Sequence, residues 1–332
     1  MGTVALAHAP EGAGNATRML AVAAELDAAG VDVALAGGGP GTDFLRTNGF
    51  TVFEPTSVEF IGPRRNGAVL RALAGAVSPA VRRLRDFHAW LGECDPAVLL
   101  ADDPFAVAAA RARGVPFFRL DHSTVACYDA LVERAAFRLF NGYSLRTGEG
   151  FFHTRLWDAS LPPRAANLRP VDPLAYQPDD PEPVEPFDVL VVPSTFSTGS
   201  ARVADRLRAA GHDVVLVGGP GWETVPAMTP YAAAADLVVC AGFSAIAEAA
   251  VAGTPAVVRP FIDCQRGIAE RIDRYGVRGV ATAHSTDEVL AHVADPPPDP
   301  EFDNGAEQVA ADLLDWLDAD AAVATRCRRS RT

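Results

Sequence analysis

Lysine is absent from this chain: all 29 basic residues are arginines, set against 42 acids, so its 332 residues carry a formal charge of -13. That balance excludes broad contact with nucleic-acid phosphates, which requires a basic face. It suits a strongly hydrated surface in a salt-adapted cytoplasm, or a GC-rich coding sequence. Cysteine is scarce as well. The five (Cys94, Cys127, Cys240, Cys264, Cys327) are odd in number and form no Cys-x-x-Cys pair, which argues against a disulfide framework or a zinc knuckle. No apolar run approaches the roughly 20 residues of a membrane helix. Met1 leads straight into the short run Val4 to Ala7 without a basic stretch. The expectation is therefore a cytoplasmic protein with reduced thiols and no signal peptide.

What the chain does have is length for two domains and 49% hydrophobic residues to fill their cores. The charge is uneven: residues 1–166 sum to -1 and residues 167–332 to -12. Short apolar runs (3–8, 32–37, 51–54, 97–101, 115–120) alternate with stretches of helical spacing such as 16–29 and 68–91. After a segment rich in proline and acids the alternation resumes, with runs at 188–192, 213–217, 237–240, 256–259 and 279–281. Strand–helix alternation at this spacing means βαβ units and parallel sheets covered on both faces. The expected architecture is α/β: two tandem Rossmann-like, doubly wound domains facing a central cleft. Its expected bounds are 1–172 for the first domain, 173–186 for the linker and 187–304 for the second domain. An amphipathic helix at 306–318 returns to the first domain, and 319–332 reads as a disordered tail. Ligands of open α/β sheets bind at the carboxyl ends of the strands.

Two glycine turns carry the chemistry. The first strand runs into Gly12-Ala-Gly14-Asn15-Ala-Thr-Arg18, where glycine permits close backbone approach and the helix start offers free N–H groups. This is not a dinucleotide fingerprint. Thr17 stands where the third glycine belongs, and the second strand ends in Gly37-Gly38-Gly39 rather than an acid. The second turn is Cys240-Ala-Gly242-Phe243-Ser244, followed by Glu248, Gly253, Pro255, Pro260 and Gln265. Gly242 lets the chain pass near a phosphate with a helix N-terminus aimed at it, and Glu248, one turn into the helix, can reach ribose hydroxyls.

The spacing from Cys240 to Gln265 resembles the donor-binding segment of the two-domain (GT-B) nucleotide-sugar glycosyltransferases of families 1 and 28. Gly12 to Arg18 resembles the first glycine turn of the same superfamily. The resemblance implies that Glu248 binds the donor ribose and Gln265 the sugar hydroxyls. Gly242, Phe243 and Ser244, with the loop Ser197-Thr198-Gly199-Ser200, would hold the pyrophosphate; Gly12, Gly14 and Arg18 complete the binding set. It also implies a hexosyl transfer from a nucleotide-sugar co-substrate, UDP-linked, with inversion, with no cofactor and no metal. Asn15, Cys240, Cys264 and Ile268 depart from the family pattern, and Asn15 cannot serve as the base that the family's His provides. A nucleotide-sugar 2-epimerase and a non-catalytic nucleotide-sugar-binding partner are the alternatives.

Other bases lie at strand ends. His122 is the first candidate, because imidazole titrates near neutral pH, and Asp103 the second. Both Asp103-Pro and Asp121-His122-Ser are equally good helix-cap sequences. Between Glu59 and Asp86 six arginines (64, 65, 71, 82, 83, 85) occur without an acid. That segment, 64–85, is a candidate for peripheral contact with an anionic membrane, as fits a lipid-linked acceptor, or else a solvated helix face.

Overall fold

The computed structural model describes residues 2–10, 12–58, 69–122, 131–157, 167–194, 197 and 199–329, with only the backbone given for 69–77, 131–133, 136, 263 and 323–329. Its first seven strands are β1 Val4–Ala7, β2 Val33–Ala36, β3 Val52–Phe53, β4 Val98–Ala101, β5 Phe117–Asp121, β6 Gly150–Thr154 and β7 Leu168–Val171. They form one sheet in the order β3-β2-β1-β4-β5-β6-β7. The strands β8 Phe187–Val192, β9 Val214–Leu216, β10 Ala235–Cys240, β11 Ala256–Val258 and β12 Val280–Thr282 form a second sheet in the order β12-β11-β10-β8-β9. The helices are α1 Gly14–Ala28, α2 Thr42–Thr47, α3 Val69–Cys94, α4 Pro104–Arg113, α5 Leu131–Thr147, α6 Ser200–Ala209, α7 Thr229–Ala234, α8 Phe243–Ala252, α9 Asp263–Tyr275, α10 Thr286–Ala294 and α11 Gly305–Arg329.

The central strands of both sheets pair in parallel. β1 sets Val4 opposite Val33 of β2 and Val98 of β4, while β10 sets Cys240 opposite Val192 of β8 and Val258 of β11. Parallel strands covered on both faces read as continuous apolar runs, which is why β1 and β4 are buried at every residue. The chain divides into two compact units, one of Met1–Leu120, Thr147–Phe152 and Ala306–Thr332, the other of Asp121–Arg146 and His153–Gly305. In the first, α11 packs through Trp316 edge-on to Phe118 of β5, which also stacks on Phe152 of β6. In the second, Val189, Val191, Leu237, Val239 and Val257 of the sheet close on Val203 and Leu207 of α6 and Val289 of α10. Fully burying such side chains contributes about 1.5–3 kcal/mol each.

Several boundaries differ from the sequence expectation. The last helix runs to Arg329 and takes up most of the stretch read as a disordered tail. β6 and β7 have no counterpart among the expected strands; β7 holds Pro170 and sits at the sheet edge, where a missing amide donor breaks no ladder. Residues 121–146 and 153–172 group with the second unit, whereas the first domain was expected to extend to 172.

Candidate functional site

In the first unit the carboxyl ends of β1 and β4 hold a closed charge network. Asp102, just past β4, accepts from the Ala9 amide at 2.6 Å and from Arg18 Nη2 at 3.2 Å, and Arg119 of β5 donates to its carbonyl. Asp103 is engaged on both oxygens: Oδ2 accepts from Arg83 Nε at 3.0 Å and Nη2 at 2.7 Å, while Oδ1 accepts from the Phe105 and Ala106 amides that open α4. Both side chains of the Arg83–Asp103 pair are 1% exposed. His8 lies beneath them, fully buried, with Nδ1 donating to the Ala9 carbonyl at 3.1 Å. Burial, with Arg83 and Arg18 adding to it, pushes the His8 imidazole down to about 4. The Asp102 carboxyl goes the other way, up to about 7, because burial outweighs the pull of Arg18, the Ala9 amide and Arg119. Gly37, directly after β2, belongs to this packing, since a Cβ on it would stand 1.9 Å from His8 Nε2.

This geometry gives two of the candidate residues other partners. Asp103 is the cap of α4 and the counter-ion of Arg83, so its carboxylate has no side left for an acceptor hydroxyl. Arg18, 2% exposed, is bound to Asp102 and to Asn15 Oδ1 at 2.7 Å rather than turned to a ligand. Asn15 therefore orients Arg18 in the first turn of α1. Gly12 has the positive φ of 83° that glycine alone adopts without strain, and Gly14 opens the helix. Of the basic segment, Arg64 and Arg65 lie outside the described residues, as does the side chain of Arg71. Arg83 is buried, and Arg82 and Arg85 are exposed.

In the second unit Gly242, Phe243, Ser244 and Glu248 lie at or in α8 and Gln265 in the first turn of α9. Gly242 precedes α8 in an extended conformation (φ -107°), and a Cβ there would meet nothing within 4 Å. Neither backbone strain nor crowding demands glycine at this point; the space in front of the turn is open. Phe243 is buried and its ring stacks on that of His122 at 4.7 Å, both residues belonging to this unit. His122 Nδ1 lies 3.8 Å from Asp121 Oδ1. Ser244 is half-buried in the first turn of α8, and Glu248, one turn further, is 9% exposed. Burial, aided by the Glu248 charge, pushes the Cys240 thiol up to about 12, so it stays neutral.

Gln265, 5% exposed, ties two segments together: Oε1 accepts from the Phe261 amide at 2.9 Å and the Ile262 amide at 3.4 Å, and Nε2 donates to Ser194 Oγ at 3.1 Å. Ser194 begins the loop that leads to α6. There Ser197 Oγ donates to the Ser194 carbonyl at 2.8 Å and Ser200 Oγ donates to Ser197 Oγ at 3.2 Å. Gly199 takes the left-handed conformation (φ 97°) that starts α6, and Thr198 lies outside the described residues. Val191, Val192, Ser200, Cys240, Ala241 and Arg259 line a depression at the ends of β8 and β10. The sequence argument passed over Arg259, which sits among matched positions without being one of them, and over His8 and Arg119, whose burial depends on strand order. Among the described residues no helix is long and apolar enough to cross a membrane.

Two α/β sheets of this topology match the GT-B fold. No family model and no curated protein matches the chain by sequence. Solved structures match it in fold. SsfS6, a glycosyltransferase of Streptomyces sp. SF2575 complexed with thymidine diphosphate, aligns at a TM-score of 0.60 and 14% identity over 95% of this chain and 100% of its own. The glycosyltransferase of kitacinnamycin aligns at 0.59 and 21% identity over 95% and 98%. MurG of Acinetobacter baumannii aligns at 0.54 and 14% identity over 93% and 98%.

Proposed function

We propose that this chain is a hexosyltransferase-type glycosyltransferase that takes its sugar from a nucleoside diphosphate donor, UDP-linked, and transfers it with inversion to an acceptor, lipid-linked as in family 28. The observation that supports this reading best is the Gln265–Ser194 hydrogen bond. It ties the Gly242–Gln265 segment to Ser194, which leads into Ser197–Ser200, and Gly242–Gln265 and Ser197–Ser200 are the two segments the family resemblance assigns to a single ligand. The amides at the starts of α6 and α8 suit the charge of a departing diphosphate without a metal. Glu248 suits the ribose hydroxyls. Gln265, already committed to Ser194 and two amides, would act by shaping the sugar pocket as much as by touching the sugar.

With Asp103 capped and paired, His122 is the base we assign: its ring is held against Phe243, beside Gly242. The bound state of Asn15 and Asp103 favours one second reading, a non-catalytic nucleotide-sugar-binding partner. Calorimetric titration with UDP and TDP tests the donor site. Glu248→Ala is expected to weaken nucleoside diphosphate binding about tenfold, the loss of a charge-assisted hydrogen-bond pair. Unchanged affinity would remove the ribose assignment. Slow hydrolysis of a UDP-sugar that is lost in His122→Ala separates the enzyme from the silent partner.

A further inference from the structure

The depression between the ends of β8 and β10 contains a guanidinium that has no counter-charge among the described residues. Arg259 is half-buried directly after β11, and its amide donates to the Cys240 carbonyl at 2.8 Å, which fixes its backbone beside the end of β10. Its side chain rests over the Phe261 ring at 5.3 Å. Among the described residues no carboxylate or carbonyl accepts from it. Other arginines of the second unit do have such partners: Arg206 pairs with Asp287, Arg208 with Asp205 and Arg278 with Glu301. Stacking on an aromatic face orients a guanidinium plane and leaves its N–H edge free, the edge that matches phosphate oxygens two at a time. The same depression is lined by Ser200, in the first turn of α6, and by Ala241, next to the open space at Gly242. Its Cys240 wall is a neutral thiol, so it offers Arg259 no anion. A half-buried cation in a depression also lined by the first turn of α6 and the turn before α8 suits a polyanion.

We infer that Arg259 binds the diphosphate of the donor, so that leaving-group charge is met by a fixed cation as well as by helix amides. This rests on the donor-site reading above and adds to it a residue outside the resemblance. The consequence is selectivity: the chain should prefer nucleoside diphosphates to nucleosides by more than amides alone provide, and the preference should weaken with salt.

The test uses the full chain and four probes, UDP, TDP, uridine and thymidine, titrated into wild type, Arg259→Gln and Arg259→Lys, with unliganded melting points as the folding control. Arg259→Gln is expected to melt like wild type and to weaken whichever diphosphate binds by about tenfold or more while leaving its nucleoside unchanged. Arg259→Lys should recover part of that loss, keeping the charge without the planar fork. If wild type binds a diphosphate and Arg259→Gln binds it equally well, or loses diphosphate and nucleoside by the same factor, the assignment of Arg259 is overturned. If wild type binds neither diphosphate, the donor-site reading itself is overturned and this inference falls with it.

Discussion

Replacing Asp103 by Asn separates a structural carboxylate from a catalytic one. The amide keeps an oxygen for the Phe105 and Ala106 N–H groups, so the cap of α4 survives. It also turns an NH2 group towards Arg83, whose Nε and Nη2 both donate to the native carboxylate. With both side chains 1% exposed, Arg83 is left as an uncompensated buried cation. Breaking one partner of such a pair costs about 3–5 kcal/mol. Asp103→Ala removes the cap too and should cost about 1 kcal/mol more. The double variant Arg83→Met, Asp103→Asn removes the stranded charge and keeps the cap, so it should be at least about 2 kcal/mol more stable to unfolding than Asp103→Asn. Urea unfolding of the four proteins, followed by circular dichroism, reads these differences. If Asp103→Asn unfolds within about 1 kcal/mol of wild type and yet loses sugar-nucleotide turnover, the structural assignment is refuted and Asp103 returns as the base.

His8 predicts an acid-side loss of stability. Its folded value of about 4 lies below the ordinary 6.5, so the unfolded chain takes up the proton first. The contribution is complete above pH 6.5 and is lost as pH falls towards 4, by about 3 kcal/mol at 1.36 kcal/mol per pH unit. Because Asp102 shifts in the opposite sense, the measurable quantity is the difference in unfolding free energy, from urea titration, between wild type and His8→Gln, which should change by that amount between pH 7 and pH 4; a constant difference would contradict it. A membrane contact through segment 64–85, which includes the exposed Arg82 and Arg85, predicts that sedimentation with anionic liposomes weakens several-fold between about 50 and about 500 mM salt. Salt-independent sedimentation, or none, would dismiss it.

Most of the fold was legible because βαβ units write themselves locally: an apolar run, a glycine turn, an amphipathic helix. β1, β2, β4, β8 and β10 fall within a residue or two of where those signals put them. β6, Gly-Phe-Phe-His-Thr, holds only two apolar residues in a row and so shows no apolar run, and β7 was hidden by Pro170, which disqualifies an interior strand but not an edge. The turn, helix and closing proline from Cys240 to Pro260 were legible for the same local reason, lying within one βαβ unit. The charge network was not. Arg83 and Asp103 meet only because α3 and α4 flank one sheet, and Gly37 needs to be glycine only because strand order sets β2 beside the His8 end of β1. Spacing along a chain carries no record of such meetings. Arg259 was readable as a residue but not as a cation without an anion, since that is a property of its surroundings.

The two sheets end in very short strands: β3 has two residues, β9 and β12 three each, and β7 four, one of them Pro170. A sheet edge is a template on which a second chain can grow, and the length of its free amide row decides how firmly an arriving strand is held. Here no edge offers more than a few donors, and one has a donor deleted. Two sheets built of hydrophobic parallel strands, which assemble slowly and expose their edges meanwhile, are thus protected from fibril-like propagation by geometry at their margins, independently of the charge on the surface.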